Sequence, residues 1–502
     1  MIQSINRILI EAQKKSHYLC DMIQNHNTVQ ASIRKELDGI LGANVLKDMK
    51  DTLAMYSVYQ LGAEFDLDRN SNDWTPSQWR AHQIKTLIDK EARFMFSIPP
   101  QVTLKGKNDG ETKGSEELLK AVLKKNNFTS KLVRGAKDCL IGKRLAIVVN
   151  FNEKYGVNVD FIPSLEFVYE TDVHDSDMLT KFIQFHTIKD TYDRKTSRVY
   201  KKKWEMVDGV CHVHEGIYDS AGVIQEVLIK NLNTGLPFIP VSIVINDGLS
   251  GDVLGMSDVA ELIESESVYA KLSNKDIDSL RKGTDQITYA IDADPRTTKG
   301  LSRAAGAFWD LATDPTKDDK TAQVGTLDNP MGYASALDQT LARIKTDMHA
   351  QLGVPDTSNR ALQGVITSGK TMQAVYWDLK VRCDEKMLDW AGAFESMVQF
   401  IVEGSKLFPH IAKLYTKEPI QSVEATIINT YPILQDESED KANGMMEVNH
   451  GIRSRKSYLK KWYNLTDEEV AQELEQVQLE KEMIEQETYP SEEVEEIENK
   501  EE

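Results

Sequence analysis

The sequence predicts an α+β fold that is predominantly helical, and three observations carry the prediction. Apolar residues recur at spacings of three and four over 259–280, 337–352 and 375–401, as they do on one face of a long helix. Between 144 and 231 the chain instead breaks into short segments rich in β-branched and aromatic residues, divided by Gly, Asn and Asp. A small strand–helix–strand insert separates the first two helical stripes. At 502 residues, 40% of them hydrophobic, the chain is long enough for roughly three ordinary domains, each with its own core.

Taken in order, the first 100 residues read as mostly helical, with Trp79, Ile84, Leu87, Ile88 and Phe94 on a stripe that ends at Pro99 and Pro100. KNDGETKGSEE, Lys107 to Glu117, is a polar loop punctuated by glycine, and a helix follows over 114–138. RLAIVVNFN, VNVDFIP, LEFVYET, KFIQFHTI, SRVYKKKWEMV and IQEVLIKN then read as strands of an antiparallel sheet packed on helices. After FIPVSIVINDGLSGDVLG, Ser257 and Asp258 offer N-caps, with Glu261 three residues past Asp258. The helix they open carries Val259, Leu262, Ile263, Tyr269, Leu272, Ile277 and Leu280 and stops at Gly283. The insert is a strand QITYAI, a helix GLSRAAGAFWDL and a strand AQVGTL. A second long helix places Leu337, Leu341, Ile344, Met348 and Leu352 in line and closes at Gly353 and Pro355. PDTSNRALQGVITSG is a flexible loop, and from Thr371 the longest helix runs to Gly404 through Val375, Leu379, Cys383, Met387, Trp390, Phe394, Val398 and Ile401. ATIINTYPIL reads as a strand, KSYLKKWYNLTDEEVAQELEQVQLEKEMIEQ as helices, and YPSEEVEEIENKEE as a tail kept disordered by self-repulsion.

Charge and cysteine usage narrow the class. From Asp467 to Glu502 sixteen acidic residues face only Lys481 and Lys500, a balance of −14, so the other 466 residues carry −5 of the net −19. A near-neutral body with an acidic tail is the opposite of a sequence-reading DNA-binding protein, whose positive charge gathers on one face. The longest apolar run, LAIVV at 145–149, is far short of the roughly 20 residues of a membrane-spanning helix, so a soluble protein without a membrane partner is expected. MIQSINRILIEAQKKSHYL lacks the apolar core and cleavage site of a secretory signal. Cys20, Cys139, Cys211 and Cys383 lie far apart with no C-x-x-C pair, and are expected to be reduced, mostly buried thiols in a cytoplasmic folding environment.

GVITSGKT, Gly364 to Thr371, fits the phosphate-cradling pattern G-x-x-x-x-G-K-[ST] at every fixed position. A phosphate loop needs a strand delivering the glycine turn to a helix N-terminus, and an acidic residue ending a later apolar strand to hold magnesium. The helix after the motif is present, but VPDTSNRALQ before it contains a proline and no apolar run, and the best acidic candidate, Asp247 after VSIVI, lies more than a hundred residues earlier. The preferred reading is therefore a mobile loop in which Gly364 and Gly369 give freedom and Thr367 or Ser368 caps the following helix. Lys370 then falls in the first turn, where the helix dipole disfavours a cation, which suggests an external anionic partner, although a solvated lysine is the commoner case.

Other features carry less chemistry. CHVH, Cys211 to His214, puts His212 and His214 on one strand face, but with no further His or Cys nearby these read as ordinary strand histidines rather than metal ligands. Asp276 and Asp278 fall on different faces of their helix and read as solvated. RSRKSYLKKW, Arg453 to Trp462, mixes cations with aromatics and reads as a helix packing Tyr458, Leu459 and Trp462 inward. No G-x-S-x-G, H-E-x-x-H or Rossmann glycine pattern occurs, so no catalytic residue, metal site or cofactor is assigned and no enzyme activity is expected.

The order of parts, helix, α/β insert, helix, flexible loop, very long helix, resembles the portal proteins of tailed bacteriophages, especially long-tailed phages of Gram-positive hosts. The resemblance spans roughly 70–485 and lies in WRAHQIKTLIDKEARFMFSIPPQVTL, IPSLEFVYE, FIPVSIVIND, and TSGKTMQAVYWDLKVRCDEKM with Val375, Tyr376, Leu379 and Lys380 matching a recurrent pattern. ATIINTYPILQDESEDKAN followed by GIRSRKSYLKKW is also similar to the family, whereas Ser97 and Ile98 stand where it often has glycine. The resemblance implies a portal fold with a mixed α/β wing (1–255), stem helices 256–283 and 331–353, an α/β clip (284–330) and a tunnel loop (354–370). It further implies a long tunnel helix and wing strand (371–435), crown helices (436–488) and an acidic tail (489–502). It implies a ring, typically of twelve subunits, at one vertex of the virion capsid, assembled in the host cytoplasm. The partners it implies are double-stranded viral DNA without sequence specificity, the terminase large subunit, a head–tail adaptor, and the major capsid and scaffolding proteins. Asn359, Arg360, Gln363, Thr367, Ser368 and Lys370 would face DNA, and Asp292, Asp294, Arg296, Lys299 and Arg303 of the clip would face terminase and adaptor. A nucleotide-binding enzyme using 364–371 and a different oligomeric virion or scaffold protein are the competing readings.

Overall fold

The computed structural model describes residues 17–36, 39–65, 75–106, 112–175, 177–188, 198–249, 251–284, 287–298, 311–316, 321–327, 332–358, 369–433, 437–463 and 465–488. All but the last residue of the predicted helix GLSRAAGAFWDL, most of the 359–370 loop and the acidic tail 489–502 lie outside them. Among the described residues helix outweighs strand. The chain divides into two compact units, Met1–Thr357 with Trp377–Pro432, and Ser358–Tyr376 with Ile433–Glu502.

In the first unit, α1 (His17–Glu36), α2 (Gly39–Leu61) and α3 (Gln83–Phe96) precede strand β1 (Gln101–Gly106). Ile84, Leu87, Ile88 and Phe94 are buried along α3 as their spacing predicts, but Trp79 lies outside the helix in an extended approach and is 46% exposed. The single helix expected over 114–138 is two, α4 (Lys113–Lys125) and α5 (Phe128–Gly142). Asn127 adopts the left-handed φ of 49°, and the buried Asn126 amide donates to both Val122 O and Val157 O, a local turn chemistry that competes with helix.

Next come β2 (Arg144–Asn152), β3 (Gly156–Pro163), β4 (Phe167–Thr171), β5 (Leu179–Ile188), β6 (Arg198–Val207), β7 (Val210–Tyr218), β8 (Ile224–Asn233) and β9 (Val241–Ile245). They form not one sheet but two, three strands ordered β3-β2-β9 and a five-stranded antiparallel meander β4-β5-β6-β7-β8. The apolar run 145–149 belongs to β2, the centre of the smaller sheet, and is buried throughout because both of its faces are covered. One face joins Phe167, Phe182, Trp204, Cys211 and Val213 of the larger sheet in a common core. His212 and His214 stand on β7 in register with Glu205 and Lys203 of β6. The edge strand β8 is exposed along nearly its whole length and slips register against β7 at three places, bulging that blunts an open edge.

Helix α6 (Asp258–Thr284) follows, then β10 (Ile287–Ile291), the short α7 (Pro295–Thr298), β11 (Gln323–Leu327) and α8 (Ala334–Gln351). Beyond the loop, the helix expected to run unbroken from Thr371 is α9 (Gly369–Val375), a break at Tyr376, and α10 (Trp377–Leu407). After α11 (Pro409–Ala412), β12 (Val423–Ile428) pairs antiparallel with β1, a strand with too short an alternation to be recognised alone. Trp390 of α10 is 2% exposed, with Phe96 at 4.9 Å and Phe394 at 5.5 Å. Gly404 and Gly135 let Phe151 and Phe161 seat directly on α10 and α5, where a Cβ would collide with the rings. Cys139, Cys211 and Cys383 are free and buried. Among the described residues no helix is long and apolar enough to cross a membrane.

The second unit contains α9 and the helices α12 (Glu437–Asn449), α13 (Arg455–Tyr463) and α14 (Asp467–Thr488). Tyr458 and Trp462 pack on Gly444 of α12, and Thr466 with Glu469 forms a reciprocal capping box that starts α14.

Helix α6 is bound to the irregular stretch before α3 by a ladder of side chains. Glu266 accepts from Ile84 N at 2.6 Å and Ala63 N at 3.4 Å, and Asn274 both accepts from Trp79 N (2.8 Å) and donates to Trp79 O (2.6 Å). Asp278 accepts from Ser77 N at 3.0 Å and is 8% exposed, so it is a buried backbone anchor and not the solvated residue its spacing suggested. Asp276, by contrast, stays half-exposed, accepting from the Tyr333 hydroxyl at 3.4 Å. Burial pushes the Glu266 carboxyl up to about 7 despite its two backbone donors. The folded protein therefore binds a proton that the unfolded chain has released, and Glu266 makes stability fall as pH rises from about 4.5 to 7. We expect Glu266→Gln to flatten urea-midpoint against pH across that window while leaving the slope below it unchanged.

Candidate functional site at the loop root

The residues singled out for DNA contact are mostly beyond description: Asn359, Arg360, Gln363, Thr367 and Ser368 lie outside the described residues, and Lys370 is placed by backbone alone, in the first turn of α9. The point from which that loop departs is well defined. Gly353 ends α8 with a left-handed φ of 61°, and its α-carbon lies against the Asp378 backbone of α10 so closely that a side chain would crowd it. The His349 ring donates through Nδ1 to Val354 O at 2.8 Å, Lys345 pairs with Asp356 at 2.9 Å, and Lys90 of α3 donates to the Thr357 hydroxyl at 3.0 Å. The loop root is thus tied to three helices. Burial lowers the Lys90 pKa, Lys345 adds to that, and Asp356 opposes it.

One residue along α3 from Lys90, Glu91 is fully buried and enters a four-residue ion cluster. Lys386 Nζ lies 2.8 Å from Glu91 Oε1 and 2.5 Å from Asp258 Oδ2. Arg382, one turn earlier on α10, approaches the same two carboxylates at 3.2 Å each. Asn246, at the end of β9, donates to Asp258 Oδ1 at 2.8 Å. Two acids and two bases make the cluster neutral. Burial pushes both carboxyls up, but Lys386 and Arg382 outweigh it at Asp258, which is held below the usual carboxylate range, while burial prevails at Glu91. Asp258 is also the first residue of α6, where the helix dipole favours an anion. Sequence reading missed the cluster, although its signal is present: Glu91 and Lys386 each fall inside the apolar stripe of their own helix.

Above the cluster an open cleft of about 380 Å³ is lined by Asp247, Leu249, Asp252, Arg382, Glu385 and Asp389, among others. Asp247, the acid weighed for magnesium in the phosphate-loop reading, belongs to this cleft, and residues 354–358 ahead of GVITSGKT form no strand. Of the insert residues, Asp294 and Arg296 are brought together, Asp294 capping α7 through Arg296 N at 2.9 Å, while Asp292 O accepts from Asp314 N at 3.0 Å. Lys299 and Arg303 lie outside the described residues. Among the described residues no group of His, Cys, Asp and Glu is arranged to hold a metal ion.

A profile of the phage portal proteins matches residues 69–487. The match covers most of the chain, and the chain belongs to the family of phage portal proteins described as SPP1 Gp6-like. Solved structures with a similar course include the virion of a native gene transfer agent particle, 9% identical, covering 76% of this chain and 89% of that one at a TM-score of 0.42. They also include the neck of an empty gene transfer agent particle computed with C6 symmetry (8% identical, 75% and 87% covered, TM-score 0.43) and the neck of the native particle computed with C12 symmetry (9%, 75% and 87%, 0.40). A comparison with curated proteins by sequence finds no match.

Removing one member of the buried cluster strands the others. We expect Lys386→Met to destabilise the protein by about 3–5 kcal/mol in chemical denaturation. Adding Glu91→Gln to it should recover part of that loss, because one buried anion then no longer lacks its cation.

Proposed function

We propose that the chain forms a ring of about twelve copies at one capsid vertex, through which the terminase motor packages double-stranded viral DNA and to which a head–tail adaptor later attaches. The observation that carries this proposal is the portal-family match over 69–487. In it, α6 and α8 are the stem, 284–330 the clip facing terminase and adaptor, 354–370 the tunnel loop, and α12 to α14 the crown. The wing would meet the major capsid and scaffolding proteins. The ring assembles in the host cytoplasm and ends in the virion. No catalytic step, metal or cofactor is assigned to it. Portal action needs DNA held loosely, since each phosphate neutralised by the protein releases counterions and adds affinity that opposes sliding. Arg360 and Lys370 fit that need as two cations, one in the loop sequence and one in the first turn of the helix that follows it, giving transient contacts without a trap.

Negative-stain images of the purified protein should classify into rings with a central hole. Compact particles without rotational symmetry, together with ATP binding lost in Lys370→Ala, would replace this function with the nucleotide-binding one. We expect Arg360→Ala with Lys370→Ala to alter DNA packaging or retention while rings still form. Unchanged packaging would remove the role given to these two residues.

A further inference from the structure

The outward faces of α6 and α8 are unlike each other and complementary. Within one chain the two helices pack as an antiparallel hairpin, with Tyr333 at the head of α8 reaching Asp276 of α6 at 3.4 Å. Residues at one height therefore have numbers summing to about 609, the sum of 333 and 276, with each step along a helix moving about 1.5 Å. On α8, Met348 is buried and Leu337, Leu341 and Ile344 are half-buried on one side, which leaves Gln339, Ala342 and Thr346 exposed on the other. Asp338 and Arg343 are exposed on the flanks of that ridge. On α6 the outward ridge reads Glu261, Glu264, Val268, Lys271, Lys275: acidic first, basic last, with Val268 48% exposed between.

When two hairpins stand side by side at the same height, these patterns match. Val268 comes within one residue of the height of Ala342, a bulky apolar side chain opposite a small one. Lys271 shares the height of Asp338, and Glu264 lies two residues, about 3 Å, from that of Arg343. An apolar centre thus has an opposite-charge pair above it and another below. The contact joins α6 of one copy to α8 of another, two different surfaces, so it is of the kind that repeats around a ring rather than closing a pair.

We propose that the outward ridge of α6 docks on the outward ridge of α8 from a second copy of this chain, with Val268 against Ala342, Glu264 against Arg343 and Lys271 against Asp338. This inference rests on the ring proposed above and adds to it the stem surface by which neighbours meet.

The test is a double-cysteine variant, Val268→Cys with Ala342→Cys, oxidised in a ring preparation. Because the two positions point away from each other within a chain, a disulfide between them links copies. The expected result on a non-reducing gel is a ladder of multimers, absent from either single variant. Independently, Arg343→Glu should lower ring yield by about tenfold or more, since it sets like charges across the contact. Glu264→Arg added to it should restore the yield, with circular dichroism confirming that each variant folds. If the wild-type chain forms rings but the double-cysteine variant gives no ladder and Arg343→Glu leaves ring yield unchanged, this contact is overturned while the ring itself stands. A wild-type protein that forms no rings would overturn both.

Discussion

Glu91 on α3 and Lys386 on α10 are opposite charges placed inside the apolar stripes of two helices, and much of the first unit is arranged around their meeting. A charge taken alone into a protein interior costs several kcal/mol even after relaxation, so neither stripe can be buried unless the two charges find each other. This fixes the rotation of each helix about its axis and their mutual height in one step, which packing of Leu and Ile alone would specify less sharply. Asp258 and Arg382 then bring the start of α6 to the same point. Well-packed apolar residues could give equal stability there. What the ions supply is a single registration of three helices, and Lys90, one residue from Glu91, carries that registration to Thr357 at the loop root.

From its ion-bound start, α6 runs along an extended segment that has no strand beside it. Buried backbone groups need partners, and here side chains of α6 provide them, Glu266 for Ala63 and Ile84, Asn274 for Trp79, Asp278 for Ser77. Spacings of eight and then four residues keep these three on one side of the helix. The helix is held by directional bonds over most of its length. Its outward face is left free of that duty and carries the charge order described above.

The main helices were legible because their stripes are long and regular, and the strands from 144 to 231 because turn residues bound them. Failures came where a long-range partner decides the local structure. β1 exists because β12, more than three hundred residues later, completes its ladder. The break at Asn126 and Asn127 depends on Asn126 reaching Val157 of β3. Asp278 was misjudged because helix spacing says which residues share a face but not that a backbone N–H waits opposite one of them. The ion cluster was legible in principle, since a lysine between Cys383 and Met387 and a glutamate between Ile88 and Phe94 interrupt otherwise apolar faces. Two interruptions of opposite sign in two long helices predict a pair, though not which third helix will join it.

The same bonds decide which cations of this region are open to an anionic partner. At the junction below the loop, Lys90, Lys345, Arg382 and Lys386 all have a partner in the fold: a hydroxyl, an aspartate, or the buried carboxylates. For a phosphate to recruit Lys386 it would have to leave Glu91 and Asp258 buried without their cation, a cost larger than a surface phosphate contact returns. Arg382, with 19% of its side chain exposed, is restrained by the same two acids. Positive charge needed to hold helices in place is therefore neutralised where it stands. At the loop root itself, the cations that tie Asp356 and Thr357 to α8 and α3 are committed to the fold.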